Sequence, residues 1–285
     1  MTEPRYATDY TPEQVQRARQ TLLHVADTLG DFLDEIVLVG GLAPMLLVNH
    51  DALPGGLEPH IGSIDVDLGL SYAVVNEERY DDLADRLRSA GFEPDTNDKG
   101  NPTRQRWHYK NSQDTVKIDF LIGDSEVVDK QAGQMFDLTH DLGAIVIPGL
   151  DLALEDFVET RLRGENLLGD HVAVTIRVCG PAPFVVLKAL ARKKRNKHGK
   201  DAYDLDYVLA GVEEGPRSLG ATLRARSNHP AVQEAIEELE ANFALEQSIG
   251  PRQASRFLHG DILDEYVADI VGRVSLFLRG FREGD

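Results

Sequence analysis

The chain has 285 residues, 42% of them apolar and 27% charged, which suits a globular protein with a sizeable core in one large domain or two. Its single cysteine, Cys179, excludes a disulfide framework, and neither a leader pattern nor a bilayer-length apolar run occurs, so a cytoplasmic location without a membrane partner is expected. With 48 acids against 30 Lys and Arg, the net charge of −18 argues against broad nucleic-acid affinity.

In chain order, Thr11–Leu33 reads as a helix capped by Thr11, with Pro12 at its first position and an apolar stripe of Val15, Ala18, Leu22, Val25, Ala26 and Leu29. Glu35–Val39 is a β-branched run ending in Gly40–Gly41, and Leu42, Met45 and Leu46 follow at helical spacing: strand, glycine turn, short helix. Asn49–Ile61 has the composition of a loop. Ile64–Leu70 alternates as a strand, and Asn76–Ala90 is an amphipathic helix. A short strand begins at Phe92 and Pro94, and Thr96–Thr103 is a polar loop. Arg104–Lys110 and Thr115–Ile122 read as strands paired across Asn111–Asp114. Gly123–Gln134 is weakly patterned. Ala144–Pro148 is a strand, Leu150–Leu162 a short helical region, and Val172–Val178 a strand ending at Gly180–Pro181.

From Pro183 the period is helical, with Val186, Leu187 and Leu190 inward and Lys188, Arg192 and Arg195 outward. Gly199 interrupts, and Lys200–Leu209 resumes. Pro216–Phe281 is helical, broken at Asn228–Pro230 and Gly250–Pro251. The expected fold is therefore α/β, a mixed sheet flanked by helices over residues 1–180 and a mostly helical region over residues 181–285.

The chemistry concentrates in the strand Ile64–Leu70. Side chains alternate across a strand, so Asp65, Asp67 and Gly69 share one face while Ile64, Val66, Leu68 and Leu70 share the other. Two carboxylates so placed repel each other unless a cation lies between them, and hard oxygen donors with spare coordination positions suit Mg²⁺, with Mn²⁺ as the substitute. The plainer alternative is a strand edge kept from aggregating by two solvated acids. Thr115–Ile122 carries Lys117 and Asp119 on one face. If it lies beside Ile64–Leu70, Asp119 completes a three-carboxylate set able to hold two metals about 4 Å apart; Asp124 is the alternative third ligand. Gly62 and Ser63 offer backbone N–H groups and a hydroxyl to a phosphate, and Gly40–Gly41 lets a phosphate approach the backbone. Lys188, Arg192, Lys193, Lys194, Arg195, Lys197 and Lys200 form a local basic strip able to contact phosphates, although charge runs on helices are commonly solvated faces. His60, His108 and His198 lack zinc-ligand spacing.

Gly40–Gly41 with its short helix, Gly62-Ser63-Ile64-Asp65-Val66-Asp67 and a later strand carboxylate resemble the nucleotidyltransferase superfamily of the DNA polymerase β type. More narrowly, VGGLAPMLL followed by GSIDVDL, then Lys188-Ala-Leu-Ala-Arg192 with Lys200-Asp201-Ala-Tyr203-Asp204-Leu205, is similar to the AbiEii/MenT group of toxin nucleotidyltransferases. The likeness spans about Ile36 to Leu209. Many of those relatives carry an Arg-x-Thr pattern where this chain has Gly62–Ser63.

The resemblance implies a metal-dependent enzyme that transfers NMP from an NTP to an RNA acceptor, a tRNA 3′ end, as the toxin of a toxin–antitoxin pair with a cognate antitoxin. It assigns Asp65, Asp67 and Asp119 to the metals and Gly40, Gly41, Gly62 and Ser63 to the nucleotide. Lys188 would neutralise the β- and γ-phosphates, Arg192 and Lys200 would hold phosphate or acceptor, and Asp201 would position a lysine or the nucleotide. Two other functions remain open from the sequence: a small-molecule nucleotidyltransferase of the aminoglycoside type, and a non-catalytic nucleotide-binding regulatory module.

Overall fold

The computed structural model describes residues 4–49, 53, 57–71, 77–97, 99–110, 116–127, 130–195 and 199–284. Asn76, the connection Asn111–Asp114 with Thr115, Lys197, His198 and parts of the expected segments Asn49–Ile61 and Gly123–Gln134 lie outside the described residues. The chain divides into two compact units. One comprises residues 12–43 and 63–179; the other comprises residues 1–11, 44–62 and 180–285.

The first unit is built on a mixed sheet. Its described strands are β1 (Ile36–Val39), β2 (Asp65–Leu70), β3 (Phe92–Thr96), β4 (Pro102–Tyr109), β5 (Lys117–Gly123), β6 (Met135–Asp137), β7 (Gly143–Ile147), β8 (Phe157–Glu165) and β9 (His171–Cys179). They run in the order β3-β4-β5-β2-β1-β9-β8, with β7 beside the far half of β5 and β6 beside β7. β1 is a continuous apolar run because it is buried throughout between two neighbours. The stripe of α1 (Pro12–Leu29) packs inward through Ala18, Leu22, Val25, Ala26 and Leu29. Past Gly30 the helix tightens into a 3₁₀ segment, Gly30–Glu35, which leads into β1. α3 (Glu77–Ser89) buries Leu83 and Leu87.

One expected element is corrected. Only Leu150–Glu155 of the expected helical region Leu150–Leu162 is helical (α4), and the chain then enters β8. β8 pairs antiparallel with β9 from Phe157↔Cys179 to Glu165↔His171, so a full ladder satisfies its backbone. It lies at the end of the strand order with Val158 exposed, so its residues carry no inward apolar alternation to read. β6 escaped notice for a similar reason: three residues are too few to set a period.

The second unit is helical: α2 (Pro44–Leu47), α5 (Pro181–Arg195), α6 (Lys200–Gly211), α7 (Gly215–Arg224), α8 (Pro230–Phe243), α9 (Ile249–His259) and α10 (Asp264–Glu283). α6 is buried along nearly its whole length, acids included. α7 and α10 meet backbone to backbone, where a side chain on Gly220 or Gly280 would strike the facing carbonyls of Phe277 and Arg217. Among the described residues, no helix is long and apolar enough to cross a membrane.

Candidate active site

Strand pairing assembles the acidic face. β2 lies between antiparallel β1 and parallel β5, with Val39↔Asp67 on one side and Asp67↔Asp119 on the other. The edge-strand alternative for the two acids therefore does not hold, since β2 has a neighbour on each flank. Period two puts Asp65 on the same face as Asp67, and Asp119 shares it through the parallel register. Val66, Leu68, Ile118 and Phe120, on the opposite face, are buried.

Gly40 sits directly over Asp67. Its φ of +71° is one that L side chains rarely adopt, and a Cβ built there would lie 1.8 Å from Asp67 Oδ2 and 2.6 Å from its carboxyl carbon. The glycine expected to admit a phosphate thus first makes room for the carboxylate on the neighbouring strand. Gly40→Ala is expected to destabilise the chain by about 2–3 kcal/mol through strain and overlap. Asp67→Ala should cost less in the Gly40→Ala background than alone, because it removes the group the new methyl meets. Urea unfolding of the four variants of this cycle tests the coupling, and additive effects would refute the contact.

Asp119 has a partner that the sequence did not reveal. Arg106 on β4 is in register with it and forms a fork: Nε to Oδ1 at 2.6 Å and Nη2 to Oδ2 at 2.7 Å. The hydrogen bonds that Arg106 donates to Asp119, with the charges of Asp119, Asp65 and Asp95, hold the guanidinium firmly protonated against the cost of burial. Arg106 falls in the expected strand Arg104–Lys110, but only the antiparallel register identifies Asp119 as its partner. Lys117 on the same face pairs with Asp95 at 3.4 Å.

The donor chemistry fits a hard divalent cation: carboxylates on one face, two of them in register on adjacent strands. Both oxygens of Asp119 are committed to Arg106, and among the described residues no three His, Cys, Asp or Glu side chains form a ready metal-holding group. A cation using Asp119 would share its oxygens with the guanidinium or displace it. Asp124, the alternative ligand, opens a 3₁₀ turn past the end of β5.

The C-terminal block forms a separate constellation inside the helical unit. Lys188 and Arg192 are buried rather than outward-facing, which corrects the helical reading of α5. Lys188 Nζ lies 3.0 Å from Asp201 Oδ1 and 2.8 Å from Asp204 Oδ2, and Lys200 Nζ reaches Asp204 Oδ1 one turn along α6. Burial disfavours the Lys188 ammonium, but Asp204 and Asp201 outweigh it and raise its pKa above the ordinary lysine value. Burial also pushes Lys200 below that value. Asp204 is held well below the usual carboxylate range by Lys188 and Lys200 despite its burial. Apolar periodicity misleads here because these cations are matched by acids on the facing helix.

Arg192 donates to Glu238 through Nε at 2.9 Å and through Nη2, and to Gln253 through Nη1 at 2.9 Å, which ties α5 to α8 and α9. Lys193 pairs with Glu234 at 2.8 Å. Much of the basic strip is therefore matched internally rather than presented as an open cationic face.

His60, which lacks metal-ligand spacing, joins this cluster: its Nε2 is 2.9 Å from Asp204 Oδ1, and its ring stacks on Tyr203 at 5.1 Å. Burial, reinforced by Lys200, lowers the His60 pKa to about 4. Cys179 is buried, and desolvation pushes its thiol well above the ordinary value, so it supplies no thiolate nucleophile.

Residues 18–237 match a family model described as Nucleotidyltransferase. No curated protein matches the sequence. Among solved structures, the chain is similar to an antigenic nucleotidyltransferase-like protein from Paracoccidioides brasiliensis, at 17% identity over 78% of this chain and 87% of that one, with a TM-score of 0.39.

Proposed function

The chain belongs to a nucleotidyltransferase family, and from that premise we propose that it transfers NMP from an NTP to the 3′ end of a tRNA in a metal-dependent reaction, as the toxin of a toxin–antitoxin pair. The observation that carries the catalytic part is the Asp67↔Asp119 register on two interior strands, with Asp65 on the same face. The toxin role and the RNA acceptor rest on the likeness of the two sequence blocks to the AbiEii/MenT group.

Asp65 and Asp67 would hold Mg²⁺, with Asp119 joining them when Arg106 gives way. Bound Mg²⁺ would neutralise the triphosphate and lower the pKa of the attacking hydroxyl. The acceptor hydroxyl attacks the α-phosphorus in line, the bond to the β-phosphate breaks, and pyrophosphate leaves. Asp119, once free of the guanidinium, accepts the hydroxyl proton. Arg106, displaced from Asp119, retains its charge beside the developing phosphate charge. Ser63 offers its hydroxyl to the phosphates, whereas the Gly62 N–H, expected from the sequence to do the same, is already donated to His60 Nδ1. No covalent intermediate is required, because orientation and charge neutralisation supply the acceleration.

The net charge of −18 favours a second acceptor class, a cationic small molecule such as an aminoglycoside. One experiment separates the two: incubation with Mg²⁺, each α-³²P-labelled NTP in turn and either total tRNA or a set of aminoglycosides as acceptor, beside Asp67→Ala. Label on tRNA with the intact chain alone is the expected result and names the base. Label appearing only on aminoglycosides would replace the RNA acceptor. Nucleotide binding with no labelled acceptor of either kind would point to a regulatory module.

A further inference from the structure

His60 is a buried histidine with every polar contact accounted for, and those contacts fix its tautomer. The Gly62 N–H can only donate, and it lies 3.0 Å from His60 Nδ1, so Nδ1 carries no proton. An ionised Asp204 can only accept, and its Oδ1 lies 2.9 Å from Nε2, so Nε2 carries the proton. Charge agrees: among the described residues, Lys188 and Lys200 balance Asp201 and Asp204, leaving no acid of this cluster over for an imidazolium.

The same helix grips the backbone around this ring. The His60 N–H donates to Tyr207 Oη at 3.0 Å and the Ile61 N–H to Tyr203 Oη at 3.2 Å, so three successive peptide N–H groups, those of His60, Ile61 and Gly62, are anchored on side chains. Tyr203 stacks on the ring and Tyr207 meets it edge-on at 4.8 Å, which leaves it little freedom to turn. Gly62 has a φ of +88°, a backbone state that glycine adopts without strain and that needs fixing from outside.

We propose that His60 is a positioning residue: oriented by Asp204 as the Nε2–H tautomer, it presents Nδ1 to the Gly62 N–H and fixes the Ile61–Gly62 peptide, one residue ahead of Ser63, for nucleotide binding. Its importance for nucleotide rests on the function proposed above. Its hydrogen-bond role does not. The nearby charge of α6 then serves an orienting purpose, since Asp204 selects the ring nitrogen left to accept.

Two replacements divide the ring's roles. His60→Asn keeps an acceptor near the Nδ1 position and loses the donor to Asp204; His60→Gln keeps a donor near Nε2 and loses the acceptor for Gly62. ¹⁵N imidazole spectra of the whole chain at neutral pH, with His60 assigned by its absence in His60→Asn, should show a neutral Nε2–H ring. An Nδ1–H ring or an imidazolium overturns the proposal. Binding of a non-hydrolysable NTP with Mg²⁺ should weaken about tenfold in His60→Gln and stay within about threefold of wild type in His60→Asn, the effect of one lost hydrogen bond. Equal losses in two folded variants overturn the positioning role. Wild-type chain that binds no nucleotide overturns the function proposed above and this role with it, while the ring spectrum still reports the tautomer.

Discussion

Replacing Asp67 by asparagine is expected to lower nucleotide transfer by about 10³-fold or more, on the order of 4 kcal/mol of transition-state stabilisation, without unfolding the chain. Asparagine has the shape of aspartate, so the contact beneath Gly40 and the β1–β2–β5 pairing survive. Only the charge is lost. Asp67 stands opposite Asp119, whose charge the Arg106 fork already balances, so the thermal midpoint should stay nearly level. Initial rates on whichever acceptor the intact chain labels, read beside a melting curve and Mn²⁺ titration by electron paramagnetic resonance, test both halves. Transfer within tenfold of wild type, or unchanged Mn²⁺ affinity, would remove Asp67 from the metal site.

Lys188→Met is the largest expected loss of stability. Lys188 is buried with Asp201 and Asp204, and among the described residues Asp204 retains Lys200 alone as a cationic partner once the ammonium is gone. Breaking a buried ion network from one side costs about 3–5 kcal/mol, because the remaining charge is left uncompensated. That corresponds to a fall in melting temperature of roughly 10 °C for a chain of this size. Asp201→Asn in the Lys188→Met background removes one stranded charge and should recover part of the loss.

The pH dependence follows the same groups. Lys188 and Lys200 hold Asp204 below the carboxylate range, so its contribution is present above about pH 4, the unfolded value, and is lost as the pH falls through the folded one. The His60 ring, lowered to about 4 from 6.5, adds to this: stability is lost as the pH falls through that window, where the unfolded chain takes up the proton first. Urea unfolding of wild type and Lys188→Met across the acid range measures both. A loss below about 1 kcal/mol at neutral pH would show that the cluster contributes little net stability.

Sequence alone determined what depends on neighbours along the chain. The period-two pattern of residues 64–70 put Asp65 and Asp67 on one face, and the apolar stripe of α1 appeared where the helix packs inward. The change from mixed to helical patterning near residue 180 also reads directly from local spacing. Tertiary structure decided what depends on which segments meet. The Asp67↔Asp119 register, the fork of Arg106 on Asp119 and the fit of Gly40 over the Asp67 carboxylate join residues separated by strands and loops, and no local period encodes a register. Likewise, Leu57–Gly62 groups with the helices rather than with the strand it precedes, because His60, Ile61 and Gly62 find their hydrogen-bond partners on α6 and on the His60 ring itself. Lys188 and Arg192 looked solvated from one helix alone. Burial followed only when facing helices supplied Asp201, Asp204 and Glu238, since a charge enters a core when its counter-charge is already there.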